Sequence, residues 1–78
     1  MTEEQIIQSF GVVLKKHREA QGITQEALAY SIHSHATHIS RLENGHKQPT
    51  LTTLFKLAKK LGIEPETLIS EVKAKHRM

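Results

Sequence analysis

The chain has 78 residues, enough for one domain with a compact core, since a chain this short buries only a modest fraction of its surface on folding. It has no cysteine, which excludes disulfides and thiolate metal sites, and no apolar run approaches the roughly 18 residues of a membrane span. The formal charge is +3 and the isoelectric point is near 9.5, which favours a polyanionic partner, while the acidic N-terminus is unlike a targeting peptide. We therefore expect a soluble, cytoplasmic protein.

Two helices are predicted in the first part of the chain. The first begins after Thr2, which has capping-box spacing to a glutamine three residues on, and its apolar residues recur at three- and four-residue steps. It ends near Gln21, and Gly22 follows as the left-handed C-terminal residue. Thr24 is a good N-cap for a second helix that runs to about Ser31.

The third predicted helix spans 35–44, after a short turn at 33–34, and a glycine ends it. When Ile39 and Leu42 are set inward at about 100° per residue, the opposite side is polar. It carries hydroxyls, an amide and a guanidinium, from Thr37, Ser40, Arg41 and Asn44. Glu43 is the only acid of this helix and turns toward the buried side, where an unpaired carboxylate is very costly. The pattern therefore predicts a buried partner for Glu43.

Two more helices complete the prediction of an all-α, five-helix fold in a single domain over 1–78. Thr50 caps a fourth helix with a broad apolar face, which Gly62 ends. Pro65 stands in the first turn of a fifth helix, which leads toward a basic tail over 73–78. A set of apolar residues near the fifth helix either contacts a second copy or completes the core of one chain. These residues are Leu61, Ile63, Leu68, Ile69 and Val72.

Three segments stand out in this order: LKKHREAQGITQEALA, ISRLENG and PTLTTLFKLAKKLGI. Together they resemble the Cro and phage-repressor type of helix-turn-helix domain, also called the XRE family, from about Phe10 to Ile69. The resemblance implies a lambda-repressor-like fold with its central motif at about 24–45. It also implies a homodimeric transcriptional regulator that binds a two-fold symmetric operator on double-stranded DNA, with no cofactor, small-molecule effector or membrane. Small controllers of restriction-modification systems are similar in layout.

On this resemblance, the third helix is the recognition helix, which lies in the major groove with its first residues against base edges. The base-facing positions are Ala36, Thr37, Ser40 and Arg41. The phosphate-contacting positions are Gln25, His38, Asn44, His46 and Lys47. Arg41 is the main candidate for base readout, because a guanidinium can bond guanine O6 and N7 together. Arg18 matches the arginine that pairs with Glu43 and ties the first helix to the third.

The turn SIHSH departs from the family pattern. The family usually has glycine at His33, an apolar residue at Ser34, and serine, threonine or aspartate as the N-cap at His35. Histidine tolerates the left-handed region better than most residues. Ser34 can take over the capping, which would move the helix start by one residue and re-aim the first base-facing side chains.

Three alternatives to a DNA-binding role have different support. His33, His35 and His38 form an H-x-H-x-x-H cluster that could hold a transition metal, but no cysteine or nearby carboxylate completes the set. These histidines can instead bond phosphate when protonated.

An enzyme is not expected, because no acid pair, activated nucleophile or glycine-rich phosphate loop is present. A protein-interaction module, such as an antitoxin that covers a toxin, is the main competing hypothesis.

Overall fold

The computed structural model describes residues 1–75 and folds them into five α-helices. They are α1 (Glu3–Ala20), α2 (Gln25–Ser31), α3 (Ala36–Glu43), α4 (Leu51–Leu61) and α5 (Pro65–Ala74). No strand occurs in this range, and the all-α, five-helix prediction is confirmed. The predicted basic tail begins within the last turn of α5, and positions 76–78 lie outside the described residues. None of the helices in 1–75 is both long and apolar enough to cross a bilayer.

Threonine hydroxyls cap three of the helices, at the positions that the sequence predicts. The hydroxyl oxygens of Thr2, Thr24 and Thr50 each accept the backbone N–H three residues further on, at 3.0–3.1 Å. At α1 the backbone N–H of Thr2 also donates to the Gln5 side chain at 2.9 Å, which completes the capping box. Each cap satisfies a donor that the helix itself leaves open, a contribution of about 1 kcal/mol. The starts of these helices are therefore set by local sequence.

The backbones of α1 and α3 meet at Gly11. A Cβ atom at Gly11 would fall 2.5 Å from the carbonyl oxygen of Glu43 and closer still to that of Leu42. Only glycine allows this approach, which brings the apolar side of α3 onto α1. Around this crossing lies a core of fully buried side chains contributed by all five helices. Its largest members are Val13, Leu14, Leu28, Ile39, Leu42, Leu57 and Leu68.

Most of the apolar residues that we predicted as a dimer contact belong to the core of this chain. Leu61, Leu68 and Val72 are buried within it, and Ile63 is partly buried against it. Only Ile69 is largely exposed, at 54%. The burial of the first three shows that they complete the core of this chain, and Ile69 and the exposed part of Ile63 remain the main candidates for contact with a second copy.

A three-membered polar cluster fastens α5 to α1. The Glu71 carboxylate oxygen Oε1 lies 2.9 Å from Nζ of Lys16 and 2.8 Å from Nε2 of His17. The hydrogen bond from Lys16, followed by that from His17, holds the pKa of Glu71 below its usual range. Nearby, the Gln21 side chain donates to the Leu61 carbonyl oxygen at the end of α4. These polar contacts position α1 against the two C-terminal helices.

Candidate nucleic-acid interface

The turn between α2 and α3 depends on a left-handed histidine. His33 has φ +58°, in the left-handed region that glycine adopts freely and that histidine, with asparagine and aspartate, adopts more often than other residues do. Its N–H donates to the Tyr30 carbonyl at 3.1 Å, and the next N–H, that of Ser34, donates to the Ala29 carbonyl at 2.9 Å. The expectation that His33 occupies the family's glycine position in the left-handed region is confirmed. The turn reverses the chain so that α3 packs across α2.

The N-cap of α3 lies at His35, the position that the family pattern gives it. The helix begins at Ala36, one residue later than predicted, and His35 is its N-cap residue without a side-chain capping bond. Ser34 does not replace it as the cap. Its hydroxyl instead pairs with Nδ1 of His38 at 2.7 Å, because the turn places Ser34 one helical turn before that ring. The expected shift of the cap to Ser34 is therefore wrong, and Ala36 and Thr37 belong to the first turn of α3.

The outer face of α3 is polar, as the helical spacing predicts. Thr37 and Arg41 are exposed and Ser40 is half-buried, while Ile39 and Leu42 on the opposite side are fully buried. Within 1–75, the Arg41 guanidinium has no ion-pair partner. Its donors are therefore available to a ligand.

Behind this face, α3 is held by a buried ion pair. The Glu43 side chain is 1% exposed, and its two carboxylate oxygens accept from Nε of Arg18 at 2.6 Å and from Nη2 of Arg18 at 3.0 Å. A further guanidinium nitrogen, Nη1, donates to the Ile23 carbonyl at 2.8 Å. The hydrogen bond to Glu43 raises the pKa of Arg18. This two-point contact fixes the rotation of α3, and with it the direction in which Arg41 points.

Gln25, which we predicted to contact phosphate, is partly engaged inside the protein. Its amide nitrogen donates to Oε1 of Glu43 at 3.0 Å, so one amide N–H ties the start of α2 to the end of α3. The sequence analysis missed this bond, because the family resemblance gave Glu43 a single partner. Two polar residues so far apart in sequence provide no local signal for such a contact.

The C-terminal end of α3 brings several predicted residues to one place. Asn44 is exposed and donates to the Ser40 hydroxyl at 3.3 Å, while His46 and Lys47 follow on the exposed loop. Lys15 of α1 lines the same shallow surface depression as Asn44. Sequence analysis gave Lys15 no role, because an exposed lysine on an amphipathic helix is indistinguishable from an ordinary solvated one.

The histidines of the turn do not form a metal site. Among residues 1–75, no three histidine, cysteine or acidic side chains come close enough together to hold a metal ion. His38 is half-buried and bonded to Ser34 rather than turned toward the other histidines. Burial, and then the charges of Lys47 and Arg41, lower the pKa of His38. An anion bound beside this ring would offset the charges of Lys47 and Arg41 and raise the pKa of His38 again.

Comparisons with known proteins agree with this geometry. The helix-turn-helix family HTH_3 matches residues 14–68. The control protein C.BamHI of Bacillus amyloliquefaciens is 33% identical over 61 residues, which are 77% of this chain and 75% of that protein. The restriction-modification controller protein C.AhdI from Aeromonas hydrophila is similar in structure, with a TM-score of 0.76 and 34% identity over 80% of this chain and 94% of that one.

A third relative shows the fold alone. The clp gene regulator ClgR from Corynebacterium glutamicum has a TM-score of 0.86 at 22% identity, over 94% of this chain and 95% of that chain. The family match spans well over half of the chain, and the two controller proteins exceed 30% identity over most of their own length. The chain therefore belongs to the XRE-type helix-turn-helix family of transcriptional regulators and is homologous to restriction-modification controller proteins.

Proposed function

We propose that the protein is a sequence-specific regulator that binds double-stranded DNA through the outer face of α3. The observation that carries this proposal is the division of charge on α3: the Arg41 guanidinium is exposed and unpaired within 1–75, while Glu43 is buried against Arg18. The outer face therefore presents donors and hydroxyls to a ligand without a carboxylate that would repel phosphate. Such a face matches the donor and acceptor pattern of the major groove.

The side chains of this face have distinct roles in base readout. Arg41 bonds guanine O6 and N7, an interaction that discriminates against the wrong base by about 1–3 kcal/mol. The hydroxyls of Thr37 and Ser40 bond base edges, and Ala36 and the Thr37 methyl group contact thymine methyl groups. The buried Arg18 pair holds α3 in the orientation that these contacts require.

Phosphate contacts flank the base-reading residues. Asn44, His46 and Lys47 contact the DNA backbone near the C-terminal end of α3, and His38 contributes when protonated. Gln25 contacts phosphate through its second amide N–H and through the open backbone donors at the start of α2. Its bond to Glu43 fixes the side chain before DNA arrives, which reduces the entropy lost on binding.

We infer that the protein binds its operator as a homodimer. A single α3 reads only a short half-site, and two-fold pairing places two recognition helices about 34 Å apart, one turn of DNA. The contact is formed around Ile69, which lies at an apolar depression of about 210 Å³ that Ile6 also lines. Both side chains are exposed in the single chain, so a second copy can cover them. Ile69→Glu should therefore yield a monomer in sedimentation analysis.

We also propose that the protein is cytoplasmic, that it is not an enzyme, and that it acts without a cofactor or small-molecule effector. The homology to controller proteins and a regulator fold supports it. A restriction-modification controller role in particular is supported by identity above 30% to two such proteins.

Binding to a random duplex at increasing salt concentration tests this function against a protein-interaction role. A DNA-binding protein that neutralises several phosphates loses affinity steeply with salt, with a slope of about 0.9 per phosphate on logarithmic axes. We expect measurable binding at low salt and a steep loss. A protein that fails to bind duplex DNA even at low salt would contradict the proposal and favour an antitoxin-like interaction module.

A further inference from the structure

A second basic surface lies away from α3. Lys56, Lys59 and Lys60 of α4, together with Ser31 and His33 from the end of α2 and the turn, line an open depression of about 460 Å³. We call these five residues the α4 basic patch. The sequence analysis gave these three lysines no role.

The three lysines of the α4 basic patch repel one another. Positions 56, 59 and 60 are separated by three and four residues, so the three ammonium groups lie on one side of α4. No carboxylate in the described part of the chain pairs with them. The helix dipole favours Lys59 and Lys60 in the last turn, but it does not account for Lys56 or for the imidazole beside them. The arrangement is stabilised when an anionic group binds.

His33 gives an independent indication that the patch binds a ligand. Glycine would adopt the φ of +58° at this position without steric cost, whereas histidine is strained there. His33 lines the α4 basic patch, so a ligand bound there can accept a hydrogen bond from the imidazole as well as from the three ammonium groups. Strain of this kind is frequent at functional sites. A contact between the imidazole and a ligand would offset the cost of this conformation.

The position of the patch separates it from the proposed DNA-binding face. None of the residues that line the α4 basic patch belongs to α3. Helix α3 packs mainly on α1 and α2, whereas α4 packs on α2 and α5. An anionic partner on the patch therefore does not need the residues that we propose for base readout.

Nearby acids limit how such a partner can approach. Glu64 and Glu66, at the start of α5, line an adjoining depression that also includes Lys56 and Lys59. Carboxylates of a partner are repelled from that side and attracted to the side of His33 and Lys60. The end of the patch next to the turn is therefore the end that attracts carboxylates more strongly.

We propose that the α4 basic patch binds a carboxylate-rich segment of a partner protein while the outer face of α3 remains available. Glutamate and aspartate side chains of the segment pair with the three ammonium groups, and the His33 imidazole donates a hydrogen bond to one of these carboxylates. The partner class follows from the charge complementarity between these carboxylates and the three ammonium groups of the patch.

Fluorescence anisotropy with a short labelled poly-glutamate peptide tests this assignment. Lys59→Gln combined with Lys60→Gln should weaken peptide binding about fivefold, because it removes two exposed ion pairs. The matched control is Lys73→Gln combined with Lys75→Gln, which removes the same charge from the end of α5 and should change the peptide affinity less than twofold. His33→Gly should raise the melting temperature, since it relieves the strained φ, and still weaken peptide binding.

Two results would overturn the proposal. Equal peptide affinity for the two double variants would show that only net charge matters. Displacement of the peptide by a saturating random duplex, or a shallower salt dependence of duplex binding in the Lys59/Lys60 variant than in the control, would assign the patch to DNA instead. Peptide binding that persists on the DNA-bound protein and is lost with the patch lysines would support it.

Discussion

Replacing Glu43 by alanine should destabilise the fold strongly, because Glu43 joins three elements at one buried point. The carboxylate accepts two hydrogen bonds from Arg18 of α1 and one from Gln25 of α2. Without it, the guanidinium stays inside the protein with a side chain that is only 11% exposed. An uncompensated buried charge is among the most destabilising consequences of a single substitution.

The magnitude follows from what the substitution leaves unpaired. Removing one partner of a buried ion pair costs about 3–5 kcal/mol. The Ile23 carbonyl still accepts one guanidinium N–H at 2.8 Å, and the exposed carboxylate of Glu19 lies 4.0 Å from Nη2 of Arg18, so we expect a loss near the lower end, about 3 kcal/mol. Stabilities of about 0.05–0.15 kcal/mol per residue make this a large part of the total for a chain of this size. The melting temperature should fall by about 12–24 °C.

Urea unfolding followed by circular dichroism measures this loss, and a double variant supplies the control. Arg18→Met combined with Glu43→Leu removes both charges and fills the space with apolar atoms, so its stability should return to within about 1 kcal/mol of the original chain. A loss below about 1 kcal/mol for Glu43→Ala alone would refute the reasoning, because that is the value of a solvent-exposed pair.

Three further substitutions test other contacts. Gly11→Ala should destabilise by about 1–3 kcal/mol in chemical denaturation, because its Cβ would overlap the backbone of α3. Glu71→Gln should lower the stability of the fold above about pH 5, because the ionised Glu71 carboxylate is bound to α1 and its pKa is depressed in the folded state. The difference from the original chain should disappear as the pH falls below the ordinary glutamate pKa near 4.3, where the carboxylate becomes protonated. In the original chain, duplex affinity should rise as the pH falls below about 6.5, because DNA phosphates favour the protonated His38 ring, whose pKa is lowered in the free protein. His38→Gln should make this rise smaller.

Each of these predictions has its own contrary outcome. The control for Gly11 is Val12→Ala at the exposed neighbouring position, and equal stability of the two variants would show that the helices do not meet closely. A stability difference between Glu71→Gln and the original chain that persists unchanged at strongly acidic pH would contradict the link to α1. The same pH dependence of duplex affinity, at fixed salt, in His38→Gln and the original chain would exclude this ring as the titrating group.

Local sequence signals predicted much of this fold. The capping threonines and the left-handed Gly22 depend only on neighbouring residues, which is why the helix boundaries agree with the structure to within a residue or two. The inward turn of Glu43 follows from helical periodicity alone. These features need no knowledge of how distant segments pack.

Contacts between distant segments were less accessible to sequence analysis. The spacing of Leu61, Leu68 and Val72 shows that they share an apolar face, but it cannot distinguish a core of one chain from a contact between two, and burial assigns them to the core. Gly11 within a helix gives no indication that another backbone passes beside it. The absence of a side-chain capping bond at His35 followed from an unusual turn, whose geometry depends on the fit of α3 against α2.

The central claim, that α3 reads base sequence through Arg41, is tested most directly by selecting bound duplexes from a random pool and sequencing them. The selection is run in parallel on the original chain and on Arg41→Ala. The account predicts two-fold symmetric sites with half-site centres about one helical turn apart, and the loss of one strongly preferred base pair per half-site in the variant, with random-duplex affinity largely retained. Identical preferences for the two proteins, or an equal loss of affinity on selected and random DNA, would contradict it.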